Sequence, residues 1–251
     1  MPRVDNLGIC LHHAVMQDFT RDFSSLSAAQ AMPADRAVFI RRTYAHLAVA
    51  IALFAFLEAA LVKSGMGEMM VGVIGQSKYG WLVMMIGFMG VSWLADSWSR
   101  NAVSQGMQYA GLGLYIVAQA VMFLPLITLV SVWDPALLGQ AAVITAAMVA
   151  ALSAVAFITR KDFSFLGPVL AVGGIVAIGV IVASILFGFS LGIIFSGLMI
   201  LFASGSVLYS TSNVLHHYRV DQHVAASLSL FASVVLLFWY VLRFLMSMRS
   251  N

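Results

Sequence analysis

The sequence predicts an all-α protein, a bundle of seven helices that each cross a membrane. Of its 251 residues, 62% are hydrophobic and only 9% are charged, whereas soluble domains carry about 25% charge. So few charges cannot cover a water-facing surface, so lipid must cover it. In addition, seven apolar stretches reach the roughly 20 residues that a helix needs to cross the hydrocarbon core.

The elements follow in chain order. Residues 1–35 mix charged, small and polar residues, with no apolar run behind a basic start. They are read as a mobile cytoplasmic tail rather than a secretory signal, ahead of a membrane domain at 36–251. The spans are expected at 44–63, 79–97, 106–130, 136–158, 164–187, 190–214 and 224–246. With the N-terminus inside, the cytoplasmic flanks hold Arg36, Arg41, Arg42, Arg100, Arg160, Lys161 and Arg219, and the other flanks hold Lys63, Lys78 and Arg249. The positive-inside rule therefore puts the N-terminus in the cytoplasm and the C-terminus outside. Small residues at Gly87, Gly90, Gly173, Ala177, Gly188, Gly192 and Ser196 are expected to let helix backbones approach closely.

Several chemistries find no residues to perform them. Cys10 is the single cysteine, which excludes an internal disulfide and a cysteine-based metal site. No basic run with interleaved aromatics suggests nucleic acid. The last span has no lysine for a retinal Schiff base. His46 lies near a span end with no serine in a nucleophile turn, and Glu58 alone cannot make an intramembrane zinc site. Catalysis is not expected, nor is a cofactor.

Two charges do lie within spans. Arg243 sits in "VLLFWYVLRFLMSM" and Glu58 in "LFAFLEAALVK". Burying such a charge costs about 2.5–3.5 kcal/mol on insertion scales. Both lie roughly 5–8 Å below the outer ends of helices that run in the same direction, so an ion pair at equal depth is one outcome. The other is that each side chain snorkels to the interface.

Polar groups collect in the last two spans. Ser229 and Ser233 share one helix face, four residues apart. They lie at a depth similar to Ser210 and Ser212 on the preceding span, with Tyr209, Tyr115 and Gln119 as further candidates for a polar pathway. His216, His217 and His223 form a candidate cytoplasmic pH-responsive cluster. No metal-ligand spacing accompanies them, and Asp221 stands where a carboxylate caps a helix.

"RAVFIRRTYAHLAVAIALFAFLEAAL" at 36–61, "AFITRKDFSFLG" at 156–167 and "LYSTSNVLHHYRVDQHVAASLSLFASVVLLFWYVLRFL" at 208–245 resemble the Bax inhibitor-1 family, also called the transmembrane Bax inhibitor motif family. The resemblance implies a seven-helix bundle with the last helix central. It also implies a pH-sensitive calcium leak, or, in one branch, modulation of a membrane-bound AAA protease. The family's pH-sensing aspartate pair aligns with Ser210 and Ser233, so both carboxylates are replaced here. The family's first-span glutamate and last-span arginine fall at Glu58 and Arg243, which favours the paired outcome. The expected function is a passive calcium or cation leak in a bacterial inner membrane, with an outer Glu58–Arg243 latch and an altered pH sensor. The alternative is a non-conducting protein that modulates a membrane protease.

Overall fold

The structure, a computed structural model, describes residues 27–101 and 104–249. Eight helices follow one another among them: α1 (Pro33–Lys63), α2 (Met66–Gly75), α3 (Gly80–Ser99), α4 (Gln105–Trp133), α5 (Ala136–Thr159), α6 (Leu166–Phe187), α7 (Gly192–His216) and α8 (His223–Arg249). All but α2 are long and apolar enough to cross a membrane.

The ends follow local chemistry. α1 starts at Pro33, because proline is preset for a first helical turn and its missing N–H is not needed there. The boundary expected at residue 35 therefore falls inside a helix. Just upstream, Ser27 pairs with Arg219 in an antiparallel bridge, and Ala28 donates its N–H to the Tyr218 carbonyl at 2.8 Å. Residues 1–26 of the expected tail lie outside the described residues. α2 was not expected. Its ten residues are too short to span, and it follows Gly65 in the left-handed region at φ 78°.

α8 occupies the centre. In its most apolar window 78% of residues are buried, against 50% for α4 and 22% or fewer for the other spans. α1 turns a single stripe towards this centre: Phe39, Thr43, Leu47, Ala50, Phe54 and Glu58, which is the three-and-four spacing of one helix face. Phe54 meets Phe123 of α4 edge-on at 5.2 Å and Phe231 of α8 at 6.0 Å. Such pairs add to area burial through the ring quadrupoles. α6 is peripheral, with Ala177 as its buried residue.

The expected small-residue contacts are only partly realised. Gly87 and Gly90 have no neighbour within 4 Å of a Cβ position. Gly188 and Gly192, at φ 75° and 61°, shape the turn between α6 and α7, a conformation that glycine adopts without strain. Gly173 does face a neighbour, the Phe202 ring at 3.1 Å. The tightest approach between long helices is at Gly111, where a Cβ would lie 2.6 Å from both the Ala95 carbonyl oxygen and the Ser99 nitrogen. Backbone on both sides cannot yield. Gly111→Ala is expected to lower the stability of the purified protein by about 1–3 kcal/mol through overpacking. Gly113→Ala, which meets nothing within 4 Å, should leave it unchanged; equal thermal unfolding of the two variants in detergent would refute this account.

Candidate functional site

α7 carries Ser206 and Ser210 on one face, and α8 carries Ser229 and Ser233 on another. Ser210 Oγ lies 2.9 Å from Ser233 Oγ and 3.2 Å from Ser229 Oγ. Ser206 Oγ lies 2.9 Å from Ser233 Oγ. Hydroxyls both donate and accept, so the four can satisfy one another; Ser210 and Ser233 are buried, and Ser206 and Ser229 are part-buried. Ser206 was not foreseen, although it stands four residues before Ser210 on the same face.

Cavities abut this hydroxyl layer from two directions. One, of about 310 Å³, reaches Ser206 and Ser233 and is also lined by Tyr115, Gln119 and Arg243. There Gln119 Nε2 donates to the Tyr115 hydroxyl at 3.0 Å. The other, of about 330 Å³, reaches Ser229 and is lined by Arg100, Tyr209, Asn213 and His217. Tyr209 thus lies beyond the serines from Tyr115 and Gln119, with its ring against Gly167. The expected pathway residues occupy two compartments, divided by Ser210 and its partners. No carboxylate lines either compartment among the described residues.

The expected Glu58–Arg243 latch is not formed. Glu58 is buried with both carboxyl oxygens lacking a hydrogen-bond partner, and Arg243 lines the 310 Å³ cavity, whose lining does not include Glu58. The depths agree, since Glu58 is five residues from the end of α1 and Arg243 six from the end of α8. The azimuths do not. Phe231 marks the face of α8 that meets α1. At roughly 3.6 residues per turn, Leu242 returns to that face within about 20°, while Arg243 is turned about 120° away. Leu242 is accordingly fully buried. The ion pair at this end of the bundle joins Asp134, after α4, to Arg249 at the end of α8. Asp134 also accepts the Ala136 N–H at the start of α5.

Nor do the three histidines form one cluster. His217 Nε2 lies 3.6 Å from Asp162, and the His216 ring is 6.4 Å from that of His217. His223 instead sits 5.1 Å from His46, whose Nε2 is 3.1 Å from the Tyr109 hydroxyl. The turn between α7 and α8 separates the two groups. Among the described residues, no three His, Cys, Asp or Glu side chains converge as metal ligands would.

The "TRKDFSFLG" segment is fixed by its own polar groups. Asp162 accepts the Ser164 N–H at 2.9 Å, and this bond holds its carboxyl below the usual carboxylate range. Phe163 donates its N–H to the buried Ser212 hydroxyl at 2.9 Å, which pins the loop to α7. Arg160 takes the left-handed conformation that ends α5, at φ 50°.

The central α8 is what the resemblance implies. Residues 36–251 fit the family model described as inhibitor of apoptosis-promoting Bax1. The chain belongs to the Bax inhibitor-1 family. Among its relatives, a BI1-like protein of Arabidopsis thaliana is 33% identical over 113 residues, 42% of this chain and 43% of that protein. The modulator of FtsH protease YccA of Escherichia coli K12 is 37% identical over 87 residues, 34% of this chain and 39% of that protein. The protein named inner membrane protein YccA in Escherichia coli O6:H1 matches with the same figures. The matched stretches thus span about half the length of these relatives or less. Family membership and seven apolar spans together make this an integral membrane protein.

In this Bax inhibitor-1 protein, Glu58 and Arg243 are expected to act independently. A double-mutant cycle with Glu58→Gln and Arg243→Gln should give a coupling below about 0.5 kcal/mol, as for residues that share no contact. Glu58→Leu should leave stability equal or raised, because it removes buried polar atoms that have no partner. Thermal unfolding in detergent reads both, and a coupling of several kcal/mol would restore the latch.

Proposed function

We propose that this protein is a non-conducting membrane partner that modulates a membrane-bound protease, in the bacterial inner membrane with its N-terminus in the cytoplasm. The observation that carries this reading is the charge inventory of the interior. The two compartments meet at hydroxyls, and the 310 Å³ compartment presents Arg243 and no carboxylate among the described residues. A divalent cation crossing a bundle seeks several charged oxygens, and a fixed guanidinium repels it. The paired carboxylates that would titrate near neutral pH are serines here, and serines do not titrate. The relative named as a modulator of FtsH protease supports the type of partner. The orientation rests on the excess of basic residues at the ends assigned to the cytoplasm, and the membrane on the relative named as an inner membrane protein.

One observation favours a second reading, a cation leak: the compartments approach each other from two directions and only the Ser210 layer divides them. Reconstitution separates the two readings. Wild-type protein in dye-loaded liposomes is expected to admit calcium no faster than empty liposomes, at about pH 6 and about pH 8. Ser210→Asp combined with Ser233→Asp should gain a pH-dependent flux across about pH 5–8, from coupled titration of two close carboxyls. Co-reconstitution with an FtsH-type protease should change the rate of substrate degradation at least twofold. Calcium uptake by the wild type, with no effect on the protease, would establish the leak instead.

A further inference from the structure

A cavity of about 730 Å³ lies at the Arg249 end of the bundle, between α4 and α6, with α2 beside it. This size is typical of a small-molecule or lipid site. Its walls are mostly aliphatic, with Leu126 and Leu129 on α4 and Ile181 and Ile185 on α6. Leu129 and Phe189, both about half exposed, form its rim. α6 leans chiefly on α7, so helix packing does not seal the gap between α6 and α4. An acyl chain can reach the cavity sideways, from the bilayer.

One cation stands in this cavity, whose other polar side chains are Ser184, Ser190 and Ser247 besides the Trp81 and Trp239 indoles. Trp81, Ile181, Leu191, Trp239 and Arg243 line both this cavity and the 310 Å³ compartment and form the boundary between them. The two indoles stack at 5.7 Å. The Arg243 guanidinium stays charged at any ordinary pH, and among the described residues no acid pairs with it. A cation at this depth calls for a counter-charge. Leu191, Gly192 and Ile193 also line the cavity. They form the start of α7, which has no side-chain cap and whose dipole favours an anion.

We propose that this cavity binds an anionic phospholipid, its phosphate against Arg243 and the start of α7, and an acyl chain along the aliphatic walls of α4 and α6. The charge selects an anion over a zwitterionic lipid, and the aliphatic walls select a lipid over a free phosphate. This goes beyond the protease reading and stands or falls separately from it.

Quenching of tryptophan fluorescence by brominated lipids tests the site, because Trp81 and Trp239 border it. The full chain with Trp93, Trp98 and Trp133 changed to Phe is placed in phosphatidylcholine vesicles containing either dibromo-phosphatidylglycerol or dibromo-phosphatidylcholine. The anionic lipid is expected to reach half-maximal quenching at a mole fraction at least threefold lower than the zwitterionic one. Arg243→Lys should keep that preference and Arg243→Gln should abolish it. Ser184→Asp, which puts a carboxylate into the same cavity, should abolish it with Arg243 in place, and so decides the matter if Arg243→Gln does not fold. Equal quenching by the two lipids in the unaltered site overturns the proposal. So does a preference that survives in whichever of Arg243→Gln and Ser184→Asp elutes as folded protein. Loss of the preference on adding millimolar glycerol phosphate would make this a site for a free anion and would equally overturn it.

Discussion

α8 carries Ser227 and Ser233 into the buried middle of the bundle, with part-buried Ser229 between them. In hydrocarbon each unpaired polar group is costly; carbonyls four residues back on α8 accept from Ser227 and Ser233, and neighbouring helices add further partners. Ser227 donates to the Thr43 carbonyl of α1 at 2.9 Å, and Ser233 meets Ser206 and Ser210 of α7. These bonds fix the rotation of α8 about its axis. With that rotation set, Phe231 faces Phe54, Leu242 is buried, and Arg243 is directed into a cavity. The positions of the charges thus follow from the positions of the hydroxyls.

The serines at the junction between α7 and α8 set what that junction can do. Two close acids resist both being charged at once and so respond to pH. The four hydroxyls stay neutral, and in each of their contacts either oxygen can donate. Imidazoles lie instead near the turns, His217 beside Asp162 and His46 beside His223, while the carboxyl of Glu58 is buried in α1.

Much of the fold was legible because hydropathy is a property of composition along the chain. The seven spans fall within a few residues of their expected ends, except at the start of α1, where Pro33 extends the helix. α2 escaped because its ten residues, Glu68 among them, are half the length of a span. The candidate site was legible in part. Spacing places Ser229 and Ser233 on one face, the resemblance singles out positions 210 and 233, and the Ser210 and Ser233 hydroxyls lie 2.9 Å apart. The Glu58–Arg243 expectation failed because depth is a single coordinate. Two residues at one level on neighbouring helices meet only if both azimuths agree, and azimuth depends on contacts between helices distant in sequence. The histidines show the same limit: neighbours in the chain at 216–223 are directed to different helices by the intervening turn.

The order of the helices along the chain has a consequence for biogenesis. The central helix, α8, follows all of its surrounding helices. A nascent chain therefore inserts the outer layer before its core exists, and Ser206, Ser210 and the Phe54 ring wait for partners that are synthesised later. Until α8 arrives, those faces are open to any other helix in the membrane. Completion of this bundle is then a late and concerted step. A chain stalled before residue 223 would present to quality control the surfaces that the finished protein hides.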